Sequence, residues 1–198
     1  MNRCIQYLFR VPGLMAGLGL FSARLAPSQT LTTLHSFSGD LDGANPYAGL
    51  VLSGNTLYGT ASNGRGLGEG TVFKLNTDGT GFTVLHRFTG GTDGSNIYAG
   101  LILSGNTLYG AAEGGGGSGS GKIFAVNTDG TGYKTLYDFS INGSPFLNTD
   151  GANPYAGLIL SGNTLYGTAY NGGSSGYGTV FSITTNGTAF ATLYTFAG

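Results

Sequence analysis

Asp40, Asp42, Glu69, Asp93, Glu113 and Asp150 all fall in or beside glycine-rich stretches between apolar runs. Paired carboxylates in such loops could hydrolyse glycosides, one acting as acid and the other as base or nucleophile. Their spacing argues against it: Asp42, Asp93 and Asp150 occupy one recurring place, each followed three residues later by Asn45, Asn96 or Asn153. An active site needs unique residues placed asymmetrically, and only Asp40, Glu69 and Glu113 break the recurrence, so no enzyme is expected. The Asp/Asn pairs also offer calcium carboxylate and amide oxygens, but one of each per loop falls short of about six to eight ligands. An Asx turn that satisfies local backbone donors is the simpler reading. No cofactor is expected, with calcium at Asp42, Asn45, Asp93, Asn96, Asp150 and Asn153 as the alternative.

Other reactive side chains are few. His35 and His86 share a place that Tyr137 and Tyr194 fill later in the chain, which suits packing with a polar tip better than a general base or a ligand. The single cysteine, Cys4, lies in the N-terminal leader, leaving no thiol chemistry for the remainder. Tyr47, Tyr98, Tyr155, Tyr170 and Tyr177 could stack on sugar rings. Tryptophan is absent, however, and the recurrence of Tyr47, Tyr98 and Tyr155 reads as core packing.

The elements that position these residues follow from a repeat. Leu34, Leu85, Leu136 and Leu193 are equivalent, at separations of 51, 51 and 57 residues, and the longer unit carries an insertion between Asp138 and Asp150. A period this long fits a four-stranded propeller blade, as in kelch-like repeats. In the first unit Tyr47 to Leu52 and Thr56 to Ala61 form one hairpin about Gly54-Asn55, and Thr71 to Asn76 and Phe82 to Phe88 form a second about Asp78-Gly79. The expected fold is all-β: a propeller-like array of antiparallel blades spanning about 40–88, 89–139 and 140–198, preceded by a spare fourth strand at 30–38. Natural propellers use about four to eight blades. Three units and a strand therefore read as an open arc or a fragment, with apolar end faces through which copies could associate.

Residues 1–29 place Arg3 and Arg10 before an apolar run, Val11 to Phe21, and a short segment of small residues, the layout of a signal peptide. That run is too short to span a bilayer, so an exported protein (periplasmic, extracellular or at the cell surface) with no transmembrane segment after leader removal is expected. Without the leader five basic residues face nine acidic ones, which disfavours nucleic acid as a partner.

The unit Leu-His-Ser-Phe-Ser-Gly, Asp-Gly-Ala-Asn-Pro-Tyr-Ala-Gly-Leu-Val-Leu, Asn-Thr-Leu-Tyr-Gly-Thr-Ala, Gly-Thr-Val-Phe-Lys-Leu, Asp-Gly-Thr resembles the GloVer tandem repeat of exported, choice-of-anchor bacterial proteins. The resemblance covers nearly all of residues 31–198. It implies propeller-like repeats and export, and transfers no catalytic residues.

In an up-and-down blade alternate connections emerge at the same end of the sheet. The glycine-rich loops (62–70, 113–121, 170–178) and the interblade loops therefore share one face, where length and chemistry vary. Arg65, Glu69, Glu113, Tyr170 and Tyr177 are the candidate ligand-binding residues there. The expected function is a binding or structural scaffold for an unknown protein or glycan; the alternative is a carbohydrate-binding or carbohydrate-active propeller using the same face.

Overall fold

A computed structural model describes residues 30–64, 70–140 and 148–198. The chain divides into two units, residues 1–32 and 33–198; the leader expected over 1–29 lies outside the described residues.

The second unit holds twelve strands: β1 (Val51–Ser53), β2 (Thr56–Ala61), β3 (Thr71–Asn76), β4 (Thr83–Arg87), β5 (Ile102–Ser104), β6 (Thr107–Ala112), β7 (Lys122–Asn127), β8 (Lys134–Asp138), β9 (Ile159–Ser161), β10 (Thr164–Ala169), β11 (Thr179–Thr184) and β12 (Ala191–Thr195). They form three four-stranded antiparallel sheets, each a simple meander, so the fold is an all-β, propeller-like array of blades. The turn chemistry sets the hairpins: Gly54, Gly105 and Gly162 sit near φ 56–57° in two-residue turns, a region closed to most side chains.

The central strands are held by a repeated close approach. Gly110 of β6 lies directly opposite Phe124 of β7, and a Cβ there would come within 2.5 Å of the Phe124 ring. Glycine at this place lets the ring lie across its neighbouring strand, as it does at Gly59 over Phe73 and Gly167 over Phe181. A register shift between the third and fourth strands of every blade, at Val72/Phe73, Ile123/Phe124 and Val180/Phe181, inserts one extra residue in the outer strand.

The core lies between blades. Tyr58, Val72, Leu85 and Phe88 pack with Ile97, Leu108, Phe124 and Val126, while Ile123, Leu136 and Phe139 pack with Leu165, Phe181 and Ile183. Burial of this kind contributes about 25 cal/mol per Å² of apolar surface, so stability resides in the junctions more than in any single sheet.

Two strand expectations are corrected. The first strand of a blade pairs over only three residues, not over Tyr47 to Leu52, and the inner segment of the second blade contacts the first blade. The Thr60 hydroxyl donates to the Ala99 carbonyl at 2.9 Å, and a Cβ on Gly100 would lie 3.6 Å from that of Ala48. Residues 30–38 carry no ladder at all. Leu34 and Phe37 nevertheless pack on Phe73, Leu75 and Phe82, as β4 packs on the second blade. At the other end Leu193 and Phe196, the counterparts of Leu34 and Phe37, are 54% and 44% exposed, and Tyr194 is 58% exposed.

Candidate functional site

The interblade loops and the second-to-third-strand loops meet on one face, joined by isolated bridges Ala44↔Asn63, Ser95↔Gly114 and Ala152↔Asn171. Asn45, Asn96 and Asn153 lie in the left-handed region at φ 55°, 56° and 56°, where asparagine is tolerated better than most residues. Their carbonyls accept the backbone N–H of Ser62, Glu113 and Tyr170 at 3.2, 3.2 and 3.0 Å. One backbone position is thus fixed identically at the top of each blade, yet it presents a hydroxymethyl group, a carboxylate and a phenol in turn.

Between the second and third blades this position opens onto a groove of about 470 Å³ lined by Glu113, Asn153, Tyr155, Tyr170 and Asn171. The Asn153 amide donates to the Glu113 carbonyl at 3.1 Å, and the Asn171 amide donates to Asn153 Oδ1 at 3.1 Å. These bonds orient the amides from both loops. Burial pushes the Glu113 carboxyl above its ordinary range, partly offset by a hydrogen bond from Asn96. Tyr170 is 73% exposed, as befits a side chain available to a ligand.

Beside the groove runs a row of three tyrosines. Tyr98 stacks on Tyr155 with ring centres 4.6 Å apart and planes 10° from parallel, and Tyr47 meets Tyr98 edge-on at 5.4 Å. The Tyr98 phenol is raised first by desolvation, then by the neighbouring Tyr155 and Glu113. The expectation that these tyrosines are core residues is corrected here: Tyr47 is 70% and Tyr155 49% exposed. They recur because each contacts its equivalent on the next blade, a repeat-to-repeat contact that a periodicity argument cannot tell from burial.

The recurring aspartates of this face are occupied. Asp42 accepts the Ser38 N–H at 2.9 Å, the Ser38 hydroxyl at 2.5 Å and a His35 contact at 3.3 Å. Burial opposes its ionisation, but the Ser38 and His35 bonds prevail and hold its carboxyl at about 2. Asp93 takes the same bonds from Thr89. Asp150 takes them from Ser140 and adds the Tyr137 hydroxyl at 2.8 Å. With Asn45, Asn96 and Asn153 serving as left-handed turn residues, each pair acts as a local clasp, and no cluster of three or more metal-binding side chains occurs among the described residues.

The recurring His/Tyr place forms the seam between blades. His35 stacks on Phe82 at 3.7 Å, His86 on Tyr133 at 3.8 Å and Tyr137 on Phe190 at 3.7 Å, all within 6° of parallel. The polar tips of His35, His86 and Tyr137 point to Asp42, Asp93 and Asp150. Burial holds the His86 imidazole below its ordinary value, against the pull of Asp93.

Of the expected ligand-binding residues, Glu113 and Tyr170 are brought together. Tyr177 is not among those lining the groove; it is 63% exposed and its backbone bridges to Gly172. Arg65 and Glu69 lie outside the described residues. Asn153, Tyr155 and Asn171 were not foreseen as site residues, although the unlike side chains at places 62, 113 and 170 mark where to look.

A model of the Gloeobacter/Verrucomicrobia repeat matches residues 13–198. No curated protein matches the chain. Among solved structures, a nidogen/laminin complex is similar at 18% identity and a TM-score of 0.48, over 71% of this chain and 44% of that one. A protein described as TolB from Agrobacterium tumefaciens is similar at 16% identity and a TM-score of 0.46, over 71% of this chain and 46% of the other. The chain thus spans less than half the length of either.

Proposed function

Since the chain belongs to the Gloeobacter/Verrucomicrobia repeat family, we propose that it is an exported repeat scaffold that binds a ligand on its long-loop face and has no enzymatic activity of its own. Export rests on the leader read in residues 1–29 and agrees with the family. The observation that carries the binding reading is the groove: five residues from two blades converge on it, at the one backbone position where the repeat varies in chemistry while its geometry is constant. The clasp aspartates Asp42, Asp93 and Asp150 are engaged by backbone and hydroxyl donors. Among the described residues Glu113 is the carboxylate lining the groove, where glycoside hydrolysis calls for a pair.

A carbohydrate ligand is the second reading, favoured by the exposed Tyr170 ring beside the Asn153 and Asn171 amides. Glycan and peptide arrays probed with residues 30–198 test both readings. The scaffold reading expects a saturable ligand lost in Tyr155→Ala and Tyr170→Ala, with no turnover. Hydrolysis abolished by Glu113→Ala or Glu69→Ala would replace it with an enzyme.

A further inference from the structure

Glu113 stands out as a half-buried carboxylate that no described cation answers. Its carboxyl is raised by burial, and the one interaction that opposes this is a neutral hydrogen bond from Asn96. Each described cation is anchored elsewhere: Lys74 donates to the Thr128 carbonyl at 3.4 Å, Arg87 to the Leu41 carbonyl, Lys122 to the Thr92 carbonyl at 2.5 Å and Lys134 to the Asn186 carbonyl at 2.8 Å. Withdrawing a carboxylate from water without a partner is unfavourable, and a positive charge entering the groove would reverse that cost.

The rest of the groove suits such a charge. Tyr155 and Tyr170 line the groove together with Glu113, and aromatic faces attract cations through their quadrupole. The lining supplies no positive group for an anion, and the chain without its leader is acidic, which steers cations inward.

We propose that the groove between the second and third blades is a receptor for an alkylammonium group, packed against Tyr155 and Tyr170 and neutralised by Glu113. This deepens the binding reading above and rests on it. The position equivalent to Glu113 is Ser62 in the first blade and Tyr170 in the third, so the receptor exists once in the described repeats. The ammonium group could belong to a free quaternary amine or to a lysine side chain of a partner; the chemistry is shared and the test separates them.

The experiment is an NMR titration of residues 30–198, following the Tyr155, Tyr170, Asn153 and Asn171 resonances, with those of Tyr137 and Phe190 at the seam as an internal control of folding. The probes are choline, its neutral isostere 3,3-dimethylbutan-1-ol, acetyl-lysine amide bearing a free side-chain amine, and glucose. Choline, the lysine derivative or both should shift the groove resonances, and the isostere and glucose should not. Binding of choline alone identifies a free amine as the ligand, and binding of the lysine derivative identifies a partner's side chain. Glu113→Gln should weaken the cation by about tenfold, Tyr170→Ala should weaken it while Tyr170→Phe retains it, and affinity should fall as acid protonates Glu113. Equal binding of the isostere, or cation binding unaffected by Glu113→Gln, would overturn the proposal. If glucose or an array glycan occupies the groove and survives Glu113→Gln, the ammonium inference fails while the binding reading stands. If neither these probes nor the arrays move the groove resonances, both fail.

Discussion

The seam and the groove are built from the same repeat and obey opposite rules. At the seam, His35, His86 and Tyr137 are interchangeable because each need only offer a flat ring to the next blade and a polar tip to an aspartate. On the loop face, Ser62, Glu113 and Tyr170 share a backbone position but no chemistry, and Glu113 and Tyr170 line the same groove. Uniform contacts between neighbours are what a repeat array needs for stability, since each unit touches only the next. The position released from that duty is free to specialise.

The comparison breaks most visibly at Phe139, which is fully buried and meets Phe181 edge-on at 5.3 Å. Phe139→Ala should cost about 3–5 kcal/mol in urea unfolding, through a cavity at the junction of the second and third blades. Tyr155→Ala, at the groove and about half exposed, should cost far less. Equal losses would erase the distinction between seam and groove.

Next in size is Asp150, which anchors Ser140 and the tip of Tyr137 at once. Asp150→Ala strands these donors, and each group left without a partner costs about 1–3 kcal/mol. Hydrogen exchange at Ser140 should accelerate with it. Protection unchanged at Ser140 would show that the clasp contributes nothing.

A smaller effect separates the histidine rungs from the tyrosine rung. Burial lowers the folded-state His86 below the ordinary histidine value of 6.5, so the unfolded chain takes up the proton first. Stability therefore falls as pH drops below about 6.5, and this contribution levels off once pH is under the folded-state value. His86→Tyr, borrowing the solution used at Tyr137, should retain the stack on Tyr133 and remove that component of acid sensitivity. An unchanged profile between pH 7 and 5 would assign the sensitivity elsewhere.

The sequence made the central strands legible residue by residue: Thr56 to Ala61 and Thr71 to Asn76 are strands as expected, because turn glycines and β-branched runs act locally. The seam was not legible. His35 and Phe82 lie 47 residues apart in the chain, and no local pattern announces that they stack. Tyr47, Tyr98 and Tyr155 misled for a related reason, since recurrence signals a repeated environment without saying whether it is buried. The clasp bonds are short-range for Asp42 and Asp93, which reach residues four places back, whereas Asp150 reaches Ser140 ten places back, across the insertion. Glu113 and Tyr170 were singled out by their departure from the repeat, whereas Asn153 and Asn171 escaped notice because they look like ordinary turn formers.

The smallest stability effect belongs to the groove itself. Tyr170 is largely exposed and takes its fixed position from a backbone bond, Tyr170 N–H to the Asn153 carbonyl at 3.0 Å, which is independent of the side chain. Tyr170→Ala should therefore shift stability by no more than about 0.5 kcal/mol, the usual range for an exposed site, while Tyr170→Ser, borrowing the side-chain chemistry of Ser62, should be equally silent. Both should lose the groove's ligand. The double variant Tyr170→Ala/Tyr155→Ala should show additive stability changes, because rings that serve a ligand need not support each other in its absence. A strongly non-additive loss would mean that the two tyrosines hold the blades together, and the groove would then be one more seam.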